Sequence, residues 1–335
     1  MEKLSDENTL VPKYLQEYDI SEECKELLTT LPSEKGWITK HLYQYQGFWF
    51  APKGLQGALS CQKHFQALDT DILLVTSPKS GTTWLKALSF ALINRNKYPN
   101  IHSNSNHPLL TTNPHNLVPF WETGLYYNKD FVPDLKTISP PRIFSTHLSY
   151  ESLPKSVKDS TCKVVYLCRD PKDVFVSFWH FINKLKTKSS ETLSLEEAFE
   201  SFCRGVCPFG PFWEHVLGYW KKSLESSKKV MFLKYEEMKM KPYFYLKEIA
   251  KFLECPFSQE EESKGVVDGI LNLCSFDKLS NLEVNKTEKV SFNVENKYFF
   301  RLGQIGDWKN HLTTEMIEHI NSITKQKLAN HGLSF

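Results

Sequence analysis

The sequence predicts an α/β fold, a single domain with a central parallel β-sheet flanked by helices, and three observations carry that reading. Four apolar runs of strand length recur: DILLVT (71–76), RIFST (142–146), KVVYLC (163–168) and KVMFLK (229–234). They lack the strict alternation of a half-solvated strand, as buried parallel strands do. Helical patterns separate them, which is the order that parallel crossovers require. Glycine, hydroxyl and basic residues directly follow the first run and an arginine follows the third, the place where open α/β sheets collect ligands.

The elements follow in chain order. Residues 1–20 are polar and read as a mobile segment ahead of one domain spanning 21–335, although a chain of 335 residues has length for about two average domains. SEECKELLTTL (21–31) reads as a short capped helix. After DILLVT comes the helical pattern TTWLKALSFALI. After KVVYLC, Asp170 suits a cap, Pro171 the first helical position and Asp173 the third, next to unpaired N–H groups of the first turn. Val174, Phe175, Phe178, Trp179, Ile182 and Leu185 then form the apolar face of that helix. From Glu236 the pattern is mostly helical, except that 279–301 has weak periodicity and reads as a long loop of lid or binding type. The last helix is expected over 313–329.

Composition narrows the function. With 41 Lys+Arg against 39 Asp+Glu the formal charge is +2, so there is no general field for nucleic acid and an anion site must come from a few placed residues. The best apolar run, 85–93, is short of the ~18 residues that span a bilayer, and 1–17 lacks a secretory apolar core. A cytoplasmic protein without a membrane partner is expected. The eight cysteines form no CxxC pair and no Cys/His cluster of finger-like spacing, which argues against structural zinc and a disulfide framework.

Three segments carry chemistry. In SPKSGTTW (77–84), Gly81 lets backbone approach a phosphate at a helix N-terminus, Lys79 adds a point charge, and Ser80, Thr82 and Thr83 add hydroxyls. Lys precedes Gly here, so this is not the Walker A order. Trp84 either stacks on a base or joins the core. In YLCRDPKDVFVSF, Arg169 stands at the strand's carboxyl edge and Ser177 two helical turns on, a pair that can hold one anion; taken singly, Arg169 reads more readily as a surface or salt-bridged residue. RLGQIGDWK (301–309) sets Gly303 and Gly306 between basic ends, an anion nest or an ordinary turn. Three separated anion motifs suggest a ligand with two phosphate sites.

Together, TSPKSGTTW, YLCRDPKDVFVSFWHF and RLGQIGDWK resemble the signature regions of soluble sulfotransferases that use 3′-phosphoadenosine-5′-phosphosulfate (PAPS). LPSEKGW (31–37) and NPHNLVPFWE (113–122) resemble the plant branch of flavonol, brassinosteroid and desulfoglucosinolate enzymes. The resemblance runs from about residue 31 to the C-terminus and implies a P-loop-like nucleotide-binding fold. It further implies that Lys79, Ser80, Gly81, Thr82, Thr83 and Trp84 hold the 5′-phosphosulfate end, with Trp84 against the adenine. Arg169 and Ser177 would hold the 3′-phosphate, Tyr235 and Phe276 would line the adenine pocket, and Arg301, Leu302 and Gly303 would close over the nucleotide. Leu302 departs from the family, which usually has Lys there. His147 in FSTHLSY would be the catalytic base, and Lys79 would stabilise charge on the leaving bridging oxygen. No metal is implied.

The implied acceptor is a small hydroxylated metabolite of plant secondary metabolism, in a pocket built from the aromatic segments 43–50, 120–127 and 286–299. Animal relatives dimerise through a KxxxTVxxxE segment; Lys309, Thr313, Thr314 and Glu318 match it with Thr in place of Val, so a monomer or weak homodimer is expected. Two rival readings are a magnesium-dependent P-loop nucleotide kinase, with Asp170 on the metal, and a non-catalytic binder of adenosine 3′,5′-bisphosphate.

Overall fold

A computed structural model describes residues 12–15, 17, 19–99, 106–186 and 192–335; most of the expected mobile segment, 1–20, lies outside them. Two sheets are present. The first is a small antiparallel one, β1 (Ser33–Lys35), β2 (His41–Tyr45) and β3 (Phe48–Phe50), in that order. Gln46 and Gly47, at φ 52° and 82°, turn β2 into β3 with the backbone twist that tight hairpins favour. The second is the parallel sheet of the expected runs: β4 (Ile72–Thr76), β5 (Ile143–Thr146), β6 (Lys163–Cys168) and β7 (Val230–Lys234), ordered β5-β4-β6-β7.

Both faces of the parallel sheet are covered, which is why its strands are apolar throughout. Ile72 and Leu74 of β4, with Val165 and Leu167 of β6, pack on one side against α1 (Thr82–Ile93) and the later helices Pro242–Phe252 and Val266–Leu273. Leu73 and Val75, with Val164 and Tyr166, face the other side, where α2 (Pro171–Leu185), α3 (Phe212–Glu225), α4 (Thr314–Leu328) and the small sheet lie. Strand residues alternate between the two cores. Because one core joins both sheets, the fold is a single domain.

Local signals read from the sequence act as expected at several points. Ser21 accepts from the Cys24 N–H to cap Glu22–Thr30, and Asp170 accepts from the Lys172 N–H to cap α2, with Pro171 at the first position. The segment 279–301 is a correction: instead of a long loop it holds helices Phe276–Asn281 and Glu283–Thr287 and a single turn at Asn296–Phe299. Asn285 explains how such short pieces are held, since its amide donates to the Leu279 carbonyl while its oxygen accepts from Asn113.

At the amino end of the sheet Arg142 makes a two-pronged contact with Asp71, Nε to Oδ1 at 2.7 Å and Nη2 to Oδ2 at 2.6 Å, and both side chains are buried. Asp71 also accepts from the Leu68 N–H at 2.9 Å. Removing the carboxylate leaves a buried guanidinium uncompensated, so Asp71→Ala should cost about 3–5 kcal/mol in urea unfolding. Retained stability would mean that water reaches the pair.

Candidate active site

All four parallel strands deliver a site residue at their carboxyl ends. β4 leads into the loop 77–81, β5 into His147, β6 into Arg169 and β7 into Tyr235. One cleft runs across these ends, lined by Lys79, Thr82, Thr83 and Trp84 together with Tyr235, Phe276 and residues 301–303.

The loop after β4 is shaped by two left-handed residues, Lys79 at φ 69° and Gly81 at φ 108°. A Cβ at position 81 would lie 2.8 Å from Tyr235 Cδ2, so glycine is required by space as well as by dihedral. Gly81 caps α1 without any side-chain acceptor, and the first-turn N–H groups are left to a ligand. Ser80 Oγ is buried with no partner among the described residues. Lys79 Nζ sits 4.0 Å from the Phe181 ring centroid and has no carboxylate partner among the described residues. Burial, aided by the charges of Arg301, Lys184 and Arg169, brings its pKa down to about 7.

Across the cleft, Arg169 is held by two contacts: Nη2 donates to the Gln304 carbonyl at 2.6 Å and lies 3.2 Å from Asp173 Oδ2. Its guanidinium covers the Tyr235 ring at 4.7 Å, and its Nε is a buried donor without partner. Asp173 has a second task, accepting from the backbone N–H groups of Gly306 and Trp308 at 2.8 and 3.3 Å. The acidic residue at the third position of α2, expected beside the first-turn amides, instead ties the segment 301–309 to the sheet. Within that segment Arg301 pairs with Asp307 and keeps a buried, unpartnered Nε, and the Tyr235 hydroxyl donates to the Gly303 carbonyl. A Cβ on Gly303 would come within 2.4 Å of the Phe276 ring, at φ +64°. Leu302 lines the cleft with its apolar side chain exposed, so it brings no cation to this wall.

Of the expected nucleotide residues, Ser80 and Ser177 alone are absent from the cleft wall. Ser177 is buried on α2 between Asp173 and Phe181, one turn from each. Trp84 is partly buried: it packs against the core beside α1, lines the cleft and meets Tyr235 edge-on at 5.6 Å.

His147 is fixed on three sides. Its Nδ1 donates to the Thr76 carbonyl at 2.8 Å, which leaves Nε2 as the free acceptor. Its backbone N–H donates to Glu122 Oε1 at 2.8 Å, and its carbonyl accepts from His215 Nε2 at 3.0 Å. Glu122 is fully buried and also accepts from the Thr146 hydroxyl at 2.7 Å. Phe120 and Phe209 rings flank the imidazole at 4.7 and 5.4 Å. Burial pulls the His147 pKa down to about 3, against the opposing effect of the Thr76 hydrogen bond, so the ring is neutral at physiological pH.

Beyond His147 the wall turns apolar. Phe120, Phe292 and Phe299 come from two of the aromatic segments expected there, together with Phe181, Ile182, Leu185 and Phe209. The third, 43–50, is a correction: Phe48, Trp49 and Phe50 are buried in the core and none of 43–50 reaches the cleft. Its part is indirect, because Trp49 exchanges backbone hydrogen bonds with Phe209 and Gly210 and holds Phe209, at φ 63°, against His147. Sequence reasoning missed Asp173, Glu122, His115 and Lys86; the one signal for the last two was a charged or polar residue inside an otherwise apolar pattern. Among the described residues there is no group of three metal-ligating side chains, and no helix is long and apolar enough to cross a membrane.

Comparison with known proteins gives a consistent result. The family model described as "Sulfotransferase domain" matches residues 69–332. Cytosolic sulfotransferase 15 of Arabidopsis thaliana is 50% identical over 325 residues, covering 97% of this chain and 90% of that one. A crystal structure of a putative steroid sulphotransferase from Arabidopsis thaliana superposes with a TM-score of 0.76 at 45% identity, over 97% of this chain and 99% of that one. A mouse sulfotransferase complexed with PAP gives a TM-score of 0.65 at 28% identity, over 87% and 95% of the two chains.

The site geometry makes a prediction about the segment 301–309. Asp173→Ala strands two backbone donors and the Arg169 cation, so unfolding free energy should fall by about 3 kcal/mol. Amides of 303–309 should exchange faster by mass spectrometry while those of β4 and β6 stay protected. Uniform acceleration would show that Asp173 supports the whole domain instead.

Proposed function

This chain belongs to the sulfotransferase family and is a sulfuryl-transfer enzyme; from that premise we propose that it moves the sulfuryl group of PAPS to a hydroxyl of a small organic acceptor, with His147 as base. The observation that carries the reading is the set of unsatisfied anion-binding groups in one cleft: the free N–H groups at the start of α1, the orphaned Nε atoms of Arg169 and Arg301, and the unpaired Lys79. Buried polar groups are rarely left without partners, and several unsatisfied donors lining one cleft suit a ligand with two phosphate-like ends.

PAPS supplies an activated sulfuryl group on a 5′-phosphate and a second phosphate at the 3′ position. Lys79, Gly81, Thr82, Thr83 and the N-terminus of α1 are assigned to the 5′ end, Ser80 orienting its loop from behind the wall. Trp84, Tyr235 and Phe276 are assigned to adenine. Arg169, Ser177, Arg301 and the backbone of Leu302 and Gly303 are assigned to the 3′-phosphate. Where Leu302 brings no cation, Lys184 stands close enough to Arg301 and Lys79 to act on both. His147 accepts the acceptor's hydroxyl proton at Nε2, because Nδ1 is committed to Thr76. Lys79 stabilises negative charge on the departing oxygen. The phenylalanines beyond His147 favour a flat, apolar alcohol or phenol such as a flavonoid or steroid, with few polar anchors.

Calorimetric titration with adenosine 3′,5′-bisphosphate, and separately with ATP and magnesium, tests the donor assignment. Tight metal-independent binding of the bisphosphate is expected; preference for magnesium ATP would favour a nucleotide kinase. Binding should also take up protons at pH 8. Lys79, with a pKa of about 7 in the free protein, is mostly neutral there, and a bound anion raises its pKa and draws a proton on. The measured enthalpy should therefore vary with the buffer's ionisation enthalpy, and Lys79→Met should abolish that variation.

Two substitutions separate the roles. His147→Ala should reduce transfer at least 100-fold while bisphosphate affinity changes less than about threefold, as expected for loss of a general base. Arg169→Ala should weaken the bisphosphate far more than adenosine 5′-monophosphate, and equal losses would remove Arg169 from the 3′-phosphate.

A further inference from the structure

Lys86 is the one lysine of α1, and it points away from solvent. It is 0% exposed, its Nζ lies 3.3 Å from the Phe120 ring centroid, and its hydrogen-bond partner is His115 Nδ1 at 3.0 Å. The opposite nitrogen of that imidazole, Nε2, is 2.9 Å from Thr83 Oγ1. His115 is itself buried between Phe120, stacked at 5.4 Å, and Phe299 at 4.2 Å. Its backbone is pinned by Asn113, whose side-chain oxygen accepts from the His115 N–H. Thr83 alone of the three meets the cleft through a part-exposed side chain on the first turn of α1, yet His115 also touches the wall.

Burying a lysine inside an apolar helix face is costly, and packing gives no reason for it, because methionine would fill the same space. The hydrogen-bond directions supply one. An amine always has an N–H to give, so Lys86 can donate to His115 Nδ1 in either protonation state, with the Phe120 face taking another N–H. Nδ1 as acceptor places the single imidazole proton on Nε2, which then donates to Thr83 Oγ1. A hydroxyl that accepts from the imidazole keeps its own proton for another partner. The reverse order, with Nδ1–H donating to a neutral Lys86, would turn the Thr83 proton inward and leave the cleft facing lone pairs.

We propose that Lys86 and His115 are positioning residues that fix the Thr83 hydroxyl as a hydrogen-bond donor into the cleft, available to the oxygens of the sulfuryl group in transfer. The inference rests on the sulfuryl-transfer reading with PAPS and adds to it a specified proton direction. A hydroxyl pre-aimed at a site of growing negative charge costs no reorganisation during the reaction. Glu122, whose charge acts on Lys86, also holds the His147 backbone, so the relay and the base share one buried anchor.

The test combines a structural and a kinetic readout on the full-length protein. Nitrogen-15 NMR of histidine-labelled protein, with the His115 signal assigned by its loss in His115→Gln, should show the Nε2–H tautomer. An Nδ1–H tautomer would overturn the inference whatever the activity. In steady-state transfer from PAPS, Thr83→Val and His115→Phe should each lower kcat about 100-fold to 1000-fold, the order seen for loss of one preorganised donor. The double variant should fall no more than about threefold below either single one, since both remove the same hydrogen bond. Bisphosphate, which keeps the 5′-phosphate assigned to Thr83 but lacks the sulfuryl group, should lose affinity in each of these variants by a clearly smaller factor than kcat. His115→Gln, whose amide can still donate to Thr83, should recover part of kcat. Lys86→Met should lower kcat while its melting temperature stays equal or rises, which separates positioning from a merely structural role. Additive losses, or a matching loss of bisphosphate affinity, would overturn the relay. If the unmodified protein moves no sulfuryl group from PAPS, the functional reading fails, and the tautomer decides the relay by itself.

Discussion

Parallel pairing on both sides of β4 is the constraint on which the site depends. Thr76 stands opposite Leu167 of β6, and Val75 opposite Thr146 of β5, so the next residues of three strands leave the sheet at one level. The loop 77–81, His147 and Arg169 therefore emerge side by side, although Thr76, which ends β4, lies 71 positions before His147. Parallel strands must all be crossed in the same sense, and their carboxyl ends then share one edge with the starts of the crossover helices. A one-residue slip of β5 against β4 would turn His147 out of the cleft and break its bond to the Thr76 carbonyl.

Charge is organised around that edge by depriving some groups of partners. Arg142 and Asp71, at the other end of the same strands, satisfy one another fully and stabilise the sheet. At the carboxyl end Arg169 and Arg301 each keep one carboxylate neighbour, Asp173 and Asp307, but retain a buried N–H with nowhere to go. Lys79 has an aromatic ring where a carboxylate would sit. Such groups lower the stability of the free protein and raise its affinity for an anion, because the desolvation cost has been met before the ligand arrives. The carboxylates set the limit: without Asp173 the segment 301–309 would lose its tie to the sheet, and the site would lose its fourth wall.

The sheet and the loop that follows β4 were legible because their signals are local. A strand buried on both faces is a short apolar run, and a phosphate loop needs Gly81, Lys79 and hydroxyls within a few residues. Less was visible where a residue acts across the chain. Asp173 sits where a first-turn acid usually serves its own helix, and nothing nearby reveals that its partners are 133 and 135 residues away. The aromatic hairpin 43–50 has the composition of a pocket wall, but its burial decides otherwise, and its contribution passes through the backbone of Phe209. The helices within 276–287 are too short for a 3.6-residue period to show, and buried Leu279 and Val284 hold them together with the hydrogen bonds of Asn285. Lys86 was hidden in plain pattern, since a lysine in an amphipathic helix reads as solvent-facing until its surroundings are known.

In the proposed reaction a histidine whose pKa lies at about 3 in the free protein has to serve as base. In the free protein His147 is surrounded by aromatic rings and by the cationic influence of Lys86 and Lys79, all of which disfavour imidazolium. This keeps Nε2 unprotonated at every physiological pH, which a base must be before it acts, but alone it would make proton acceptance steeply uphill. An anionic donor bound at Lys79 and the start of α1 reverses the local balance, because opposite charge nearby favours the protonated ring just as it favours protonated Lys79. Base strength at His147 and anion binding at Lys79 are then two readings of one potential in the same cleft. Imidazolium becomes affordable only when the group to be transferred is in place, and with the site empty the ring has no reason to take a proton from solvent.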